Sequence, residues 1–133
     1  MARKVNKNYR NQILREVNFE LVKIGKAKFQ DSKLRDCSFH NCDLNGIHFE
    51  EANLRDVEFH YCNLSNAKFM GASVNIKLIS CDCRFAIFDK ALINRLVLED
   101  CNLEMISLRK VYSNFIDIKN CLNIPYTLYS QAY

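Results

Sequence analysis

A large apolar residue returns at every fifth position of this chain. Between residues 42 and 71 the series is Leu44, Phe49, Leu54, Phe59, Leu64 and Phe69. A strand would send successive members to opposite faces, because five is not a multiple of two. A helix advances by roughly 140° beyond a full turn over five residues and would spread the series around its circumference. The spacing therefore requires an architecture that gathers these residues on one side by other means.

The period extends over nearly the whole chain. From residue 12 the sequence divides into twelve pentads, whose centres are all Leu, Phe or Ile. A unit of four residues, 72–75, then shifts the frame, and ten further pentads end at residue 125. The residue two before each centre is mostly small or β-branched, so each pentad can turn one small and one large apolar side chain inward. Four such pentads would close a coil of 20 residues, and stacked coils would pair as parallel ladders about 4.8 Å apart.

This pattern resembles the pentapeptide repeat family, whose consensus is A-(D/N)-L-x-x; the pentads ANLRD at 52–56 and CNLSN at 62–66 match it closely. The resemblance implies an all-β fold, a right-handed quadrilateral parallel β-helix of roughly six coils. It also implies corners that demand neither Gly nor Pro, which suits a chain with 3 Gly and 1 Pro. We expect a basic N-terminal arm or cap over residues 1–11 and a solenoid over 12–125, with a one-residue register slip at 72–75. A C-terminal cap or tail is expected over 126–133.

Residues 20 apart, or 19 apart across the short unit, are predicted to stack in columns. Two columns of phenylalanine and one of cysteine should face inward and fill the core, with the cysteines as reduced, buried thiols. No metal site is expected from these cysteines, because the only close pair is Cys81 and Cys83. The predicted core columns are Phe29, Phe49, Phe69 and Phe88; Phe19, Phe39 and Phe59; and Cys42, Cys62, Cys81, Cys101 and Cys121.

One outward column alternates charge. Arginines at 15, 35 and 55 are each followed by an acid, and we expect a lattice of surface ion pairs. The sequence pairs are Arg15-Glu16, Arg35-Asp36 and Arg55-Asp56.

Histidine and lysine form two further outward stacks. His40 and His60 should stack, but no third metal ligand is evident beside them. Lys28, His48 and Lys68 should form a basic stripe, and these three are candidate anion contacts.

Outward apolar residues concentrate in the C-terminal half. In the first twelve pentads 4 of 36 outward positions are apolar, against 10 of 30 in the last ten. Such a patch requires a covering partner, which is the C-terminal tail, a second copy in a homodimer or a foreign protein. The predicted partner-binding residues are Phe85, Ile87, Leu92, Met105 and Tyr112.

Catalytic motifs are missing from the sequence. It contains no Gly-rich phosphate loop, no H-E-x-x-H and no nucleophile elbow. We therefore expect a non-enzymatic protein-interaction module that needs no cofactor. The family resemblance implies one finer version, a DNA mimic that modulates DNA gyrase or another topoisomerase. Such members are long, dimeric and strongly acidic, whereas this chain has 133 residues and a net charge of +4.

Charge distribution leaves a second class of function open. Residues 1–30 carry eight basic and two acidic residues, so the alternative is binding of nucleic acid or an anionic surface through this end. A protein partner is favoured over nucleic acid, and a secreted or phage-borne effector stays an option. No apolar run reaches membrane-span length, and no signal core follows the basic N-terminus, so a cytoplasmic location without membrane contact is expected.

Overall fold

A computed structural model describes residues 6–131, and the side chains of residues 6–128. These residues form nine strands in one sheet system, followed by one short helix. No helix among them is both long and apolar enough to cross a membrane. The elements are β1 (Ile13–Arg15), β2 (Asn18–Glu20), β3 (Lys33–Arg35), β4 (Ser38–His40), β5 (Asn53–His60), β6 (Ser73–Ile79), β7 (Leu92–Glu99), β8 (Tyr112–Ser113), β9 (Ile116–Lys119) and α1 (Tyr126–Gln131).

All strand pairs are parallel, and partners lie one coil apart. Leu14 pairs with Leu34 and Leu34 with Leu54, which defines side A of the coil. Side B carries Phe19, Phe39 and Phe59 in register. Sides C and D are held by single bridges, such as Lys23 with Asp43 and Lys28 with His48. The fold is a parallel β-solenoid of about five turns, slightly fewer than the roughly six that counting pentads predicts.

Most corners are made by a residue in the left-handed backbone region. Nineteen of the described non-glycine residues have φ between 53° and 62°, and most lie five apart in sequence. Only Asn and Asp adopt this conformation readily among residues with a side chain, and nine of the nineteen are Asn or Asp. Glycine occupies two corners, Gly46 and Gly71. Hydrogen bonding to the next coil supports the other corners, as where the Glu16 amide donates to the Arg35 carbonyl at 3.0 Å.

Stacked aromatic rings fill the interior as predicted. Phe39 and Phe59 lie 4.8 Å apart at 4°, and Phe69 and Phe88 lie 4.5 Å apart at 2°. Six of the seven predicted phenylalanines are 0% exposed, and Phe19, in the first coil, is partly buried. In the predicted cysteine column Cys42, Cys62, Cys81 and Cys101 are buried, and Cys121 is intermediate.

The solenoid begins before the first predicted pentad. Asn8 bridges to Lys28, and the Tyr9 ring stacks on Phe29 at 4.5 Å. Tyr9 thus heads the column that Phe29 continues. Residues 1–5 of the expected N-terminal arm lie outside the described part of the chain.

The four-residue unit is accommodated locally. Side A pairing runs from Asn53 to Ser73 over 20 residues, but Val57 pairs with Ile76 over 19, which leaves Asp56 outside the ladder. In the next coil Asn94 is left outside in the same way. One expectation is wrong in this region: the pentad count makes Val97 one of the ten outward apolar residues of the C-terminal half, but it is only 6% exposed. It lies in a hollow beside Lys77 and Arg95, where β6 is one residue shorter than β5 and β7.

The C-terminal end of the core is partly covered. Helix α1 follows Pro125, and Leu128 is 2% exposed and packs with the core residues. The last two residues of the chain, 132–133, lie outside the description.

Candidate interaction surfaces

The most apolar exposed corner of the solenoid lies between sides C and D in its C-terminal half. Phe85 and Met105 occupy equivalent corner positions in consecutive coils, with φ of 62° and 57°. They are 48% and 69% exposed. Leu92 and Tyr112 pair directly on side A and are 52% and 77% exposed.

The five predicted residues do not form one continuous surface. Ile87, on side D between the two pairs, is half-buried. Beyond it, Asp89 accepts hydrogen bonds from the Ser107 hydroxyl at 2.6 Å and from the Arg109 amide at 3.0 Å. The surface is therefore two apolar pairs separated by a polar strip. We call Phe85, Ile87, Leu92, Met105 and Tyr112 together the C-terminal apolar patch.

The described part of the tail, up to Leu128, leaves this patch exposed. Leu128 fills the end of the core, while Met105 and Tyr112 stay more than two-thirds exposed. Between the last coil and α1 lies a hollow of about 520 Å³, lined by Met105, Leu108, Asn123, Pro125 and Thr127 among others. A concave surface thus adjoins the exposed Met105 side chain.

The predicted basic stripe is assembled but partly neutralised. Lys28 bridges to His48 and His48 to Lys68, so the three residues stack on side D as expected. The His48 Nδ1 atom lies 3.1 Å from a Glu50 carboxylate oxygen. Ile87 and Ser107 continue the column, so the positive charge stops at Lys68.

Histidines 40 and 60 stack as predicted, with ring centroids 4.8 Å apart. The His60 Nε2 atom lies 2.8 Å from a Glu58 oxygen. Among residues 6–131 no group of three or more His, Cys, Asp or Glu is placed to hold a metal ion.

The cysteine column is a stack of free thiols hydrogen-bonded to the backbone. The Cys62 sulfur lies 3.4 Å from the carbonyl oxygens of both Phe39 and His60, and the pattern repeats at Cys81 and Cys101. Contact with the Cys101 sulfur, together with burial, raises the pKa of Cys83 well above its usual value. Burial likewise raises the pKa of Cys121. The raised pKa values keep the Cys83 and Cys121 thiols protonated, which suits a structural role.

The expected ion-pair lattice is largely wrong. Arg35 Nε lies 3.7 Å from Asp36. Within the described chain, neither Arg15 nor Arg55 has a carboxylate oxygen within 4.0 Å. Asp56 instead accepts a hydrogen bond from the Asn75 side chain at 3.2 Å.

Two contacts had no clear signal in the sequence. The Arg95 guanidinium carbon lies 5.9 Å from the centre of the Phe115 ring, a cation–π contact across one coil. Asp82 and Arg84 form a two-point contact on side C, at 2.8–3.2 Å. The Arg84 hydrogen bonds lower the pKa of the Asp82 carboxyl. An acid and an arginine two residues apart are common, so neither pair stands out before the coil register is known.

Comparison with known proteins agrees with this architecture. Residues 12–78, just over half of the chain, match the family model for a pentapeptide repeat region. The pentapeptide repeat protein Rfr23 from the cyanobacterium Cyanothece 51142 is 20% identical, with a TM-score of 0.75 over 87% of this chain and 90% of that one. A pentapeptide repeat protein from the Arabidopsis thaliana thylakoid lumen is 21% identical, with a TM-score of 0.58 over 77% of this chain and 62% of that one.

More distant comparisons add no functional argument. QnrB1, a plasmid-mediated fluoroquinolone resistance protein, is 20% identical over 81% of this chain and 73% of that one, but its TM-score is 0.39. Curated protein sequences gave no match. At these identities the likeness concerns the fold alone.

Proposed function

This chain belongs to the pentapeptide repeat family, and we propose that it acts as a non-enzymatic protein-interaction module through the C-terminal apolar patch. The observation that carries this proposal is the exposure of Phe85 and Met105 at equivalent corners of consecutive coils. Large apolar side chains at such corners contribute nothing to the core, and they are also poor residues for a left-handed backbone. Leu21 and Tyr61 are also exposed at corners but lie two coils apart, whereas Phe85 and Met105 lie in consecutive coils, so binding of a partner gives a physical reason for this pairing.

The surroundings of Met105 fit a partner that inserts a side chain. The adjoining hollow of about 520 Å³ offers Leu108 and Pro125 as further apolar contacts. An anchor placed in such a hollow, with Met105 and Phe85 packed around it, resembles the buried centre of many protein interfaces. The polar strip at Asp89 would lie at the rim of that contact.

A module without catalysis agrees with how the coils are filled. Stacked phenylalanine, leucine and cysteine side chains occupy the interior, and the histidines and carboxylates lie on the outer sides. Acid–base chemistry is favoured by partly enclosed sites that shift pKa values and exclude water. Outward columns on a filled rod suit recognition better than reaction.

DNA mimicry would require a different exterior. A mimic presents rows of carboxylates, whereas side A of this chain carries a row of arginines. We therefore propose contact through apolar residues, with gyrase or another topoisomerase as one partner that the experiment below can recover.

The test is a tagged pull-down from nuclease-treated lysate at low and high salt. The variant bait carries Phe85→Ser and Met105→Ser. The matched control carries Leu21→Ser and Tyr61→Ser, which are also exposed corner residues with φ of 55°, located between sides B and C. We expect the wild-type bait to recover a partner protein whose binding persists after nuclease treatment and at high salt. The Phe85/Met105 variant should fail to recover this protein, and the Leu21/Tyr61 control should still recover it.

Light scattering on the purified protein separates self-association from a foreign partner. A doubled mass that returns to 15.6 kDa in the Phe85/Met105 variant would identify a second copy as the partner. The proposal would be overturned if the bait recovered only nucleic acid, if this binding were lost at high salt and if the Phe85/Met105 variant bound it equally well. That result would favour binding through the basic N-terminal end.

A further inference from the structure

A row of positive charge runs along side A in the N-terminal half of the solenoid. Arg15 pairs in register with Arg35, and Arg35 with Arg55. Together with Lys33 they line a groove of about 220 Å³, whose other lining residues are Ile13, Leu34 and Asn53. We call this surface the side A groove.

This arrangement of arginines contributes little to the stability of the free protein. Like charges directly opposite each other on neighbouring parallel strands destabilise the sheet. Four cations line the groove, yet the described residues provide one carboxylate contact, between Arg35 and Asp36 at 3.7 Å. Asp56, the acid beside Arg55, is hydrogen-bonded to Asn75. The groove is therefore a site where an added anion would relieve repulsion.

Apolar atoms accompany the charge. Ile13 is 63% exposed at one edge of the groove, in the same column as Lys33 and Asn53. That column continues without interruption through Ser73 to Leu92 and Tyr112 of the C-terminal apolar patch. Side A thus offers three stacked arginines in its first half, whereas in its second half Leu92 and Tyr112 add apolar contacts beside Arg95.

We propose that the side A groove binds an acidic amphipathic helix of a partner protein, laid along the solenoid axis. The arginines repeat at the coil spacing, about 4.8 Å. A helix that presents a carboxylate at every third or fourth residue repeats at about 4.5–6 Å, whereas an extended strand repeats same-face side chains at about 6.7 Å. The helix is the closer match, and its carboxylates can meet guanidinium groups in two-point contacts.

A nucleic acid fits the same surface less well. Phosphates of one strand repeat at about 3.4 Å along a duplex axis, which differs from the coil spacing. The corner acids Glu16, Asp36 and Asp56 directly follow the arginines and would repel a continuous phosphate backbone. A partner helix can avoid them, because its acidic stripe is narrow and its other faces are free to differ.

Fluorescence anisotropy with a labelled 15-residue peptide tests the proposal. The peptide carries glutamates at positions 2, 5, 9 and 12, leucines on the adjoining stripe and alanine elsewhere. We expect binding that weakens as salt is raised, and at least a tenfold loss of affinity in the variant Arg15→Gln, Arg35→Gln, Arg55→Gln. A scrambled peptide of the same composition should bind at least tenfold more weakly than the patterned one.

A charge-matched variant separates the groove from net charge. Lys23→Gln, Lys26→Gln and Lys119→Gln remove the same charge from sides B and C and their corners, and should change affinity by less than threefold. Equal losses of peptide affinity in the arginine and lysine variants would overturn the proposal, because they would show that binding depends on net charge alone. Tighter binding of a 15-nucleotide single strand or a 15-base-pair duplex would overturn it in favour of nucleic acid. No binding of the patterned peptide by wild-type protein would also overturn it.

Stability measurements keep the result interpretable. Removing three exposed arginines should leave the melting temperature unchanged or higher, since repulsion is relieved, so a lost affinity cannot be attributed to unfolding. The inference rests on the proposed interaction function but can fail separately. If the Phe85/Met105 variant loses its partner in the pull-down while the peptide does not bind, only the groove is refuted; peptide binding without any effect of Phe85 and Met105 refutes the patch alone.

Discussion

Residues 12–71 and residues 76–125 fill their interiors alike and differ in what they show to solvent. Phe59 and Leu98 occupy the same column of side B and are both fully buried. Outside, the first half presents Arg35 and Arg55, whereas the second presents Leu92 and Tyr112 on the same side. The core constrains only two residues in five, so the exterior of a solenoid can change its chemistry while the coil stays the same.

The largest expected effect tests whether the two interiors are equivalent. Phe59→Ala should lower the free energy of unfolding by about 3–5 kcal/mol, and Leu98→Ala by about 2–5 kcal/mol, because each leaves a cavity in a filled column. Urea unfolding measures both. The exposed neighbour Asn53→Ala is the control and should change it by under about 0.5 kcal/mol.

Those same curves decide whether the halves unfold together. A single transition that shifts in both variants supports one cooperative rod. Two transitions, each sensitive to one variant, would show that the short unit at 72–75 separates two units of stability.

An intermediate effect concerns the thiols of the second half. The folded-state pKa values of Cys83 and Cys121 are raised, so the folded chain holds these protons more tightly than the unfolded chain. Their contribution to stability is present below about pH 8.5, the usual cysteine pKa, and is lost as the pH rises toward the folded values. Each thiol that ionises only on unfolding should remove about 1.4 kcal/mol per pH unit.

Urea unfolding at pH 7.5 and 9.5 measures this loss. Cys83→Ala is less stable at pH 7.5 because of its cavity, but its stability should fall less between the two pH values than that of wild type. An identical fall in both proteins would contradict a Cys83 thiol that is kept protonated by contact with the Cys101 sulfur and by burial.

The smallest expected effect concerns the corners of the second half. Met105→Gly should be neutral within about 0.5 kcal/mol, because relief of a left-handed conformation offsets the greater chain entropy of glycine. Leu92→Gly, in β7, has no such compensation and should lose about 1 kcal/mol. Equal melting temperatures for the two variants would contradict a left-handed corner at Met105.

The interior of this protein could be predicted from sequence because it depends only on the five-residue spacing of the large apolar residues. A period of five, repeated four times per coil, places Phe29, Phe49 and Phe69 in one column whatever their neighbours are. The short unit at 72–75 was also visible, since it breaks that count. Tyr9 was missed because the pentads before residue 12 lack a Leu, Phe or Ile centre, although an aromatic ring fills the same position.

The exterior depends on the directions of individual side chains, which the five-residue spacing does not determine. The acids next to Arg15 and Arg55 predicted ion pairs, but neither pair forms in the described chain, and Asp56 accepts a hydrogen bond from Asn75 instead. The pentad count places Val97 outward, but it lies in a hollow beside Lys77 and Arg95 and is buried. The apolar patch lay in the half that the sequence indicated, but its division by Asp89 follows from hydrogen bonds to Ser107 and Arg109.

The bulges at Asp56 and Asn94 have a consequence for how such a chain can change length. Insertion or deletion of five residues would rotate every later coil by a quarter turn and carry Leu92 and Tyr112 off side A. Insertion or deletion of twenty residues would leave every later residue on its own side and would only lengthen or shorten the rod. The single residue missing from 72–75 does neither, because the two bulges absorb it and Leu92 still follows Ser73 in its column. The side of the solenoid on which a residue lies is therefore repeated from coil to coil, and a one-residue deletion does not change it.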